Sequence, residues 1–133
     1  MKSVVAFVIL VISINSHSFS IECKEEAALH LDNFYATELC HDVNLGFEDC
    51  AQATKNDLRK APLMTDGDIV RCTKAFYGFQ DCYPAASNSL DAEYSINLCL
   101  DAKKGFKACA QQELKKSDQN ELTEAQIKSC LLK

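Results

Sequence analysis

"GFEDCAQ" occupies Gly46–Gln52, and "GFKACAQ" occupies Gly105–Gln111. Read outward from these two stretches, the chain aligns with itself. Over Cys23–Gln52 against Cys82–Gln111, 13 of 30 positions are identical, where chance at ordinary residue frequencies gives roughly two. "LDNFYATELC" (31–40) lies over "LDAEYSINLC" (90–99). After one deleted residue, Thr65, Ile69 and Cys72 lie over Thr123, Ile127 and Cys130. A repeat of this length marks one structural unit used twice.

The shared positions carry helical spacing. Leu31, Tyr35 and Leu39 recur as Leu90, Tyr94 and Leu98, an i, i+4, i+8 stripe. Glu25–His41 contains neither proline nor glycine and predicts one helix of about four turns. Ser87 or Ser89 is the expected cap of its copy. Phe47, Cys50 and Ala51, matched by Phe106, Cys109 and Ala110, predict a second helix. Gly46 and Gly105 are expected to stop the first helix and turn the chain. "TDGD" (65–68) and "TEAQ" (123–126) predict capping boxes at the start of a third helix that carries Ile69, Cys72 and Phe76. "YPAASNS" (83–89) is read as the link between units. The expectation is an all-α chain: two tandem three-helix, disulfide-stapled repeats, 21–81 and 82–133, packed as one small helical domain.

Residues 1–20 read as a secretory leader. Lys2 precedes the apolar run Val4–Ile14, and Ser18 and Ser20 supply small residues before a cleavage point. That run is shorter than the roughly 20 residues a membrane span needs. The expected location is therefore secreted and extracellular, with no membrane span.

All eight cysteines (Cys23, Cys40, Cys50, Cys72, Cys82, Cys99, Cys109 and Cys130) follow the leader. An even count in a small secreted chain predicts four disulfides. The intervening segments hold 16, 9 and 21 residues in the first set and 16, 9 and 20 in the second, with nine between the sets. No Cys-x-x-Cys occurs, and zinc sites place ligands two to four residues apart, so no metal is expected. If one helix covers Cys23 and Cys40, those two lie about 25 Å apart and cannot bond. Two pairings then remain: Cys40–Cys50 with Cys23–Cys72, or Cys23–Cys50 with Cys40–Cys72. The first is preferred, together with its copy, Cys99–Cys109 and Cys82–Cys130.

From Ile21 onward the chain carries 19 acids and 13 bases. This balance disfavours nucleic acid, which is held by Lys and Arg at phosphates. The acids concentrate in Ile21–Asp81, with 12 against six bases; Cys82–Lys133 has seven of each. No phosphate-cradling glycine motif is present. "DGD" (66–68) lacks the twelve-residue ligand pattern of a calcium loop. His30 and His41 are 11 residues apart and on one helix would share a face. A two-histidine hydrolase is thus conceivable, although solvated surface histidines are the plainer reading. No cofactor is expected.

The aromatics distinguish the halves. Phe34 aligns with Glu93, and Phe76, Tyr77 and Phe79 of "AFYGF" (75–79) find no counterpart in that alignment. With Tyr83 they form either the seam between the repeats or an apolar binding patch. The functional expectation is a secreted, non-enzymatic helical binding protein. It would carry a small lipophilic ligand or engage an extracellular protein. The alternative is a venom or salivary effector acting on a foreign protein, and a small hydrolase follows behind.

Overall fold

The computed structural model describes the backbone of residues 15–133 and the side chains from Ile21 onward. The expected leader, 1–20, lies outside the fully described residues. Among the described residues the chain is all helical: α1 (Asn15–Ala28), α2 (Asn33–Leu39), α3 (Phe47–Ala53), α4 (Asp66–Thr73), α5 (Phe79–Ser87), α6 (Ala92–Cys99), α7 (Phe106–Ser117) and α8 (Glu124–Leu131). A wider π-helical stretch, Thr54–Arg59, continues α3.

The single helix expected over Glu25–His41 is two helices. Asp32 breaks it: its carboxylate accepts hydrogen bonds from the backbone N–H groups of Phe34 and Tyr35 and caps α2. An aspartate that binds its own downstream amides competes with helix continuation. Asp91 does the same for α6 by accepting from Tyr94 N–H, so neither Ser87 nor Ser89 is the cap. The chain therefore folds back, and Cys23 and Cys40 come within 5.7 Å, Cα to Cα.

This overturns the preferred disulfide pattern. The bonds are Cys23–Cys40, Cys50–Cys72, Cys82–Cys99 and Cys109–Cys130. Each staples two consecutive helices into a hairpin: α1–α2, α3–α4, α5–α6 and α7–α8. Each half thus holds four helices where three were expected. Asp81 and Cys82, the expected boundary, both lie inside α5, as does most of the expected linker "YPAASNS". α4 ends at Thr73, which leaves Phe76 outside it. The capping boxes at Thr65 with Asp68 and Thr123 with Gln126 are both formed.

The hairpins stack in chain order. α1 packs on α3 and α4, α3 on α5 and α6, and α5 on α7 and α8. Phe47, Phe79 and Phe106, each 1% exposed, fill equivalent places in this stack; burying each contributes roughly 1.5–3 kcal/mol. They follow Gly46, Gly78 and Gly105, so "AFYGF" does have counterparts: "VNLGF" (43–47) and "AKKGF" (102–106). The helix break at Gly46 and Gly105 is present, but each glycine precedes a helix rather than ending one.

The junctions between hairpins are tied by a backbone ladder. Asn44 and Gly46 donate to the carbonyls of Thr73 and Ala75. One hairpin later, Phe76 and Gly78 donate to those of Leu100 and Ala102. The close approach requires glycine: a Cβ on Gly46 would lie 2.2 Å from the Phe76 carbonyl oxygen.

Candidate functional site

The structure divides the five aromatics singled out from the sequence. Phe79 and Tyr83, one turn apart on α5, are buried with their rings stacked 5.6 Å apart. Tyr83 donates its hydroxyl hydrogen to Asp57 Oδ2 at 2.8 Å. Burial, the Asp57 hydrogen bond and the Asp57 charge push its pKa well above the ordinary tyrosine value. This pair is buried and belongs to the core, tied to the π-helical stretch through Asp57.

Phe76 and Tyr77 are elsewhere. They occupy the junction before α5 and are 37% and 45% exposed. The next junction lies beside them through the Phe76–Leu100 and Gly78–Ala102 backbone bonds. It brings Lys103 Nζ to 5.8 Å from the Phe76 ring centre and Lys104 Nζ to 5.5 Å from that of Tyr77. On the other side the 41–46 junction carries exposed Leu45. Leu45, Phe76 and Tyr77 with Lys103 and Lys104 thus lie on three successive junctions and form a ridge along one side of the stack. Exposed cation–π pairs are worth about 0.5–1 kcal/mol each, which orders the lysines without neutralising them. Phe34 is apart from all of these at the start of α2 and is 81% exposed.

The histidines do not converge. His30 lies in the turn before α2 and pairs with Asp66 at 2.8 Å. His41 follows α2 at its other end and pairs with its neighbour Asp42 at 3.1 Å. Seven residues of α2 separate the two positions, a rise of about 10 Å.

The π-helical stretch is a polar hub that the sequence reading missed. Lys55 pairs with Glu26 of α1 at 2.9 Å, Asp57 accepts from Tyr83 of α5, and Arg59 binds Asp68 of α4 through two hydrogen bonds. Asp68 is buried and also accepts from Arg71 and from Thr65 N–H. Burial alone would raise its pKa; the Arg59 and Thr65 hydrogen bonds and the Arg59 charge outweigh it and hold the carboxyl at about 2. A paired, fully bonded carboxylate of this kind is structural. The pairing Asp57–Tyr83 had no sequence signal, since it spans 26 residues.

Acidic side chains also line up across the stacked helices. Glu22 has its pKa raised by burial, Glu48 and Glu25. Asp49 is raised by burial, Glu48 and Asp81. Lys107 ends this row, 4.0 Å from Asp81.

All eight cysteines are paired. Among the described residues no group of three or more metal-ligating side chains is positioned to hold an ion, and no helix is long and apolar enough to cross a membrane. One surface hollow of about 190 Å³ opens between α5 and α7. A broader one of about 810 Å³ opens beside the α7–α8 loop and is walled mostly by polar residues such as Gln119, Asn120 and Thr123. Pockets for small ligands are concave and mostly apolar, of roughly 300–1,000 Å³. The first hollow is below that range, and the second lies wide open to solvent, with seven of its nine lining residues polar. No protein-family model, curated protein or solved structure matches the chain.

Proposed function

We propose that the chain is a secreted, non-catalytic binding protein built from tandem helical repeats, and that it engages an extracellular protein through the ridge of Leu45, Phe76, Tyr77, Lys103 and Lys104. The observation that carries this reading is the exposure of Phe76 and Tyr77 beneath two lysines, while the neighbouring Phe79 is buried. Aromatic and basic side chains presented together suit a partner with an apolar centre and an acidic rim. The carrier version has less support, because the interior is occupied by Phe47, Phe79 and Phe106 and the hollows are small or wide open to solvent.

The test is capture of proteins from the source's own extracellular fluid by the wild-type chain and by the Phe76→Ala/Tyr77→Ala variant. A partner retained by wild type and by Phe34→Ala, but lost by the double variant, supports the reading. Equal capture by all three, or saturable binding of a fluorescent fatty acid by the wild type, contradicts it.

A further inference from the structure

We infer that the ridge reads its partner through a short extended segment, and in one direction. Apolar side chains of that segment lie over Leu45, Phe76 and Tyr77, and an acidic one lies over Lys103 and Lys104. This rests on the ridge being the binding surface; it adds which partner chemistry the ridge takes and in what order.

The ridge is three stacked β-turns. Backbone N–H groups of Phe47, Phe79 and Phe106 donate to the carbonyls of Asn44, Phe76 and Lys103, three residues earlier, and so close one four-residue turn at each junction. The first two positions of the turns are Asn44 and Leu45, then Phe76 and Tyr77, then Lys103 and Lys104. All are exposed except half-buried Asn44, whose side-chain amide donates to the Lys74 carbonyl. Neighbouring turns are held by backbone bonds of 2.8–2.9 Å, at Asn44–Thr73 and Gly46–Ala75 and again at Phe76–Leu100 and Gly78–Ala102. Hydrogen-bonded neighbouring segments lie roughly 5 Å apart, so the three tips span about 10 Å.

Along this row the presented chemistry changes in order, from apolar to aromatic to basic. The helices that leave the turns follow the same order of charge. Glu48 and Asp49 stand in the first turn of α3 and Asp81 in that of α5, whereas α7 starts with Lys107 and no acid. An acidic group is therefore drawn to the third turn and repelled from the first, which sets the direction. Size sets the kind of partner. A standard interface between folded proteins takes roughly 20–30 residues a side. The five ridge side chains fall well short of that, and a row of about 10 Å matches about three residues of extended chain. Phe76 and Tyr77 keep Lys103 and Lys104 beside their rings. One acidic side chain within about three residues of the apolar ones thus reaches a lysine Nζ while its neighbours rest on the rings.

Selection from a displayed random peptide library on the folded chain tests this. The expected binders carry an acidic residue within about three positions of apolar ones, always in the same order along the peptide. Lys103→Glu/Lys104→Glu, at exposed positions, should weaken them about tenfold or more. The same variant used as bait should enrich lysine or arginine in place of the acid, which also shows that it is folded. Phe34→Ala should leave binding unchanged. Binders that need Phe76 and Tyr77 but carry no ordered acid, or that the lysine reversal leaves unmoved, overturn the inference and leave the ridge as the binding surface. A library without binders also overturns the inference alone, because capture of a folded partner tests the ridge separately. Binders indifferent to Phe76→Ala/Tyr77→Ala overturn both.

Discussion

A Cβ placed on Gly78 would stand 2.2 Å from the carbonyl oxygen of Lys103. The equivalent distance at Gly46, to Phe76, is the same, whereas at Gly105 the nearest carbonyl oxygen, that of Lys133, is 3.7 Å away. Backbone φ is negative at all three, at −90°, −72° and −70°. Close approach, not left-handed backbone, is therefore what selects glycine at Gly46 and Gly78. Gly78→Ala and Gly46→Ala must push two junctions apart, and each should destabilise by about 1–3 kcal/mol, the range for overpacking. Gly105→Ala should change stability by less than about 1 kcal/mol. Thermal unfolding of the three variants provides the comparison.

The buried Asp68 sets the acid response. Its folded pKa, about 2, is below its ordinary value of 3.8. A lowered carboxyl pKa contributes stability that is complete above the unfolded value and is lost as pH falls through the folded one. Denaturant titrations should therefore show a loss between about pH 4 and pH 2. Asp68→Asn should remove that loss and cost about 2–3 kcal/mol at neutral pH, somewhat under the usual figure for breaking a buried pair because Arg59 is partly solvated. Glu22 and Asp49 act in the opposite sense, since their pKa values are raised. Their stabilisation is complete at low pH and fades as pH rises through their folded values. Asp49→Asn should accordingly flatten the decline on the neutral side.

The division of the aromatics is measurable. Tyr83→Phe removes one hydrogen bond to Asp57 and should cost about 1 kcal/mol. Tyr83→Ala empties a core site and should cost about 3–5 kcal/mol. Tyr77→Ala, at an exposed position, should change stability by less than about 1 kcal/mol. Equal losses at Tyr77 and Tyr83 would contradict the separation of ridge from core.

The helical class and the cysteine positions were legible in the sequence, but the helix hairpins that the disulfides staple were not. Nine residues separate Cys40 from Cys50, Cys72 from Cys82 and Cys99 from Cys109. The middle spacing resembles a gap between two repeats; it is a third hairpin junction. "GFQDC" (78–82) repeats "GFEDC" (46–50) almost letter for letter, but alignment of the two halves sets its Cys82 opposite Cys23 and so hides the match. Asp32 and Asp91 are among the identical positions and look like helix interior, because apolar periodicity runs unbroken past them. Only the cap geometry shows the turn. The ridge was harder still: nothing in residues 75–79 alone separates Phe76 and Tyr77, which face water, from Phe79, which does not. That division depends on the junction 100–105 packing alongside.

The ridge depends on the hairpins, and the hairpins depend on which cysteines are joined. A disulfide closing a loop of about 15 residues contributes roughly 3 kcal/mol in the chain-entropy model, so the pairing also fixes how the stability is distributed. The most direct measurement is mass-spectrometric mapping of unreduced proteolytic fragments from the secreted protein. The account predicts Cys23–Cys40, Cys50–Cys72, Cys82–Cys99 and Cys109–Cys130. Recovery of Cys40–Cys50 or Cys99–Cys109 would instead join neighbouring hairpins across their junctions, and would contradict it.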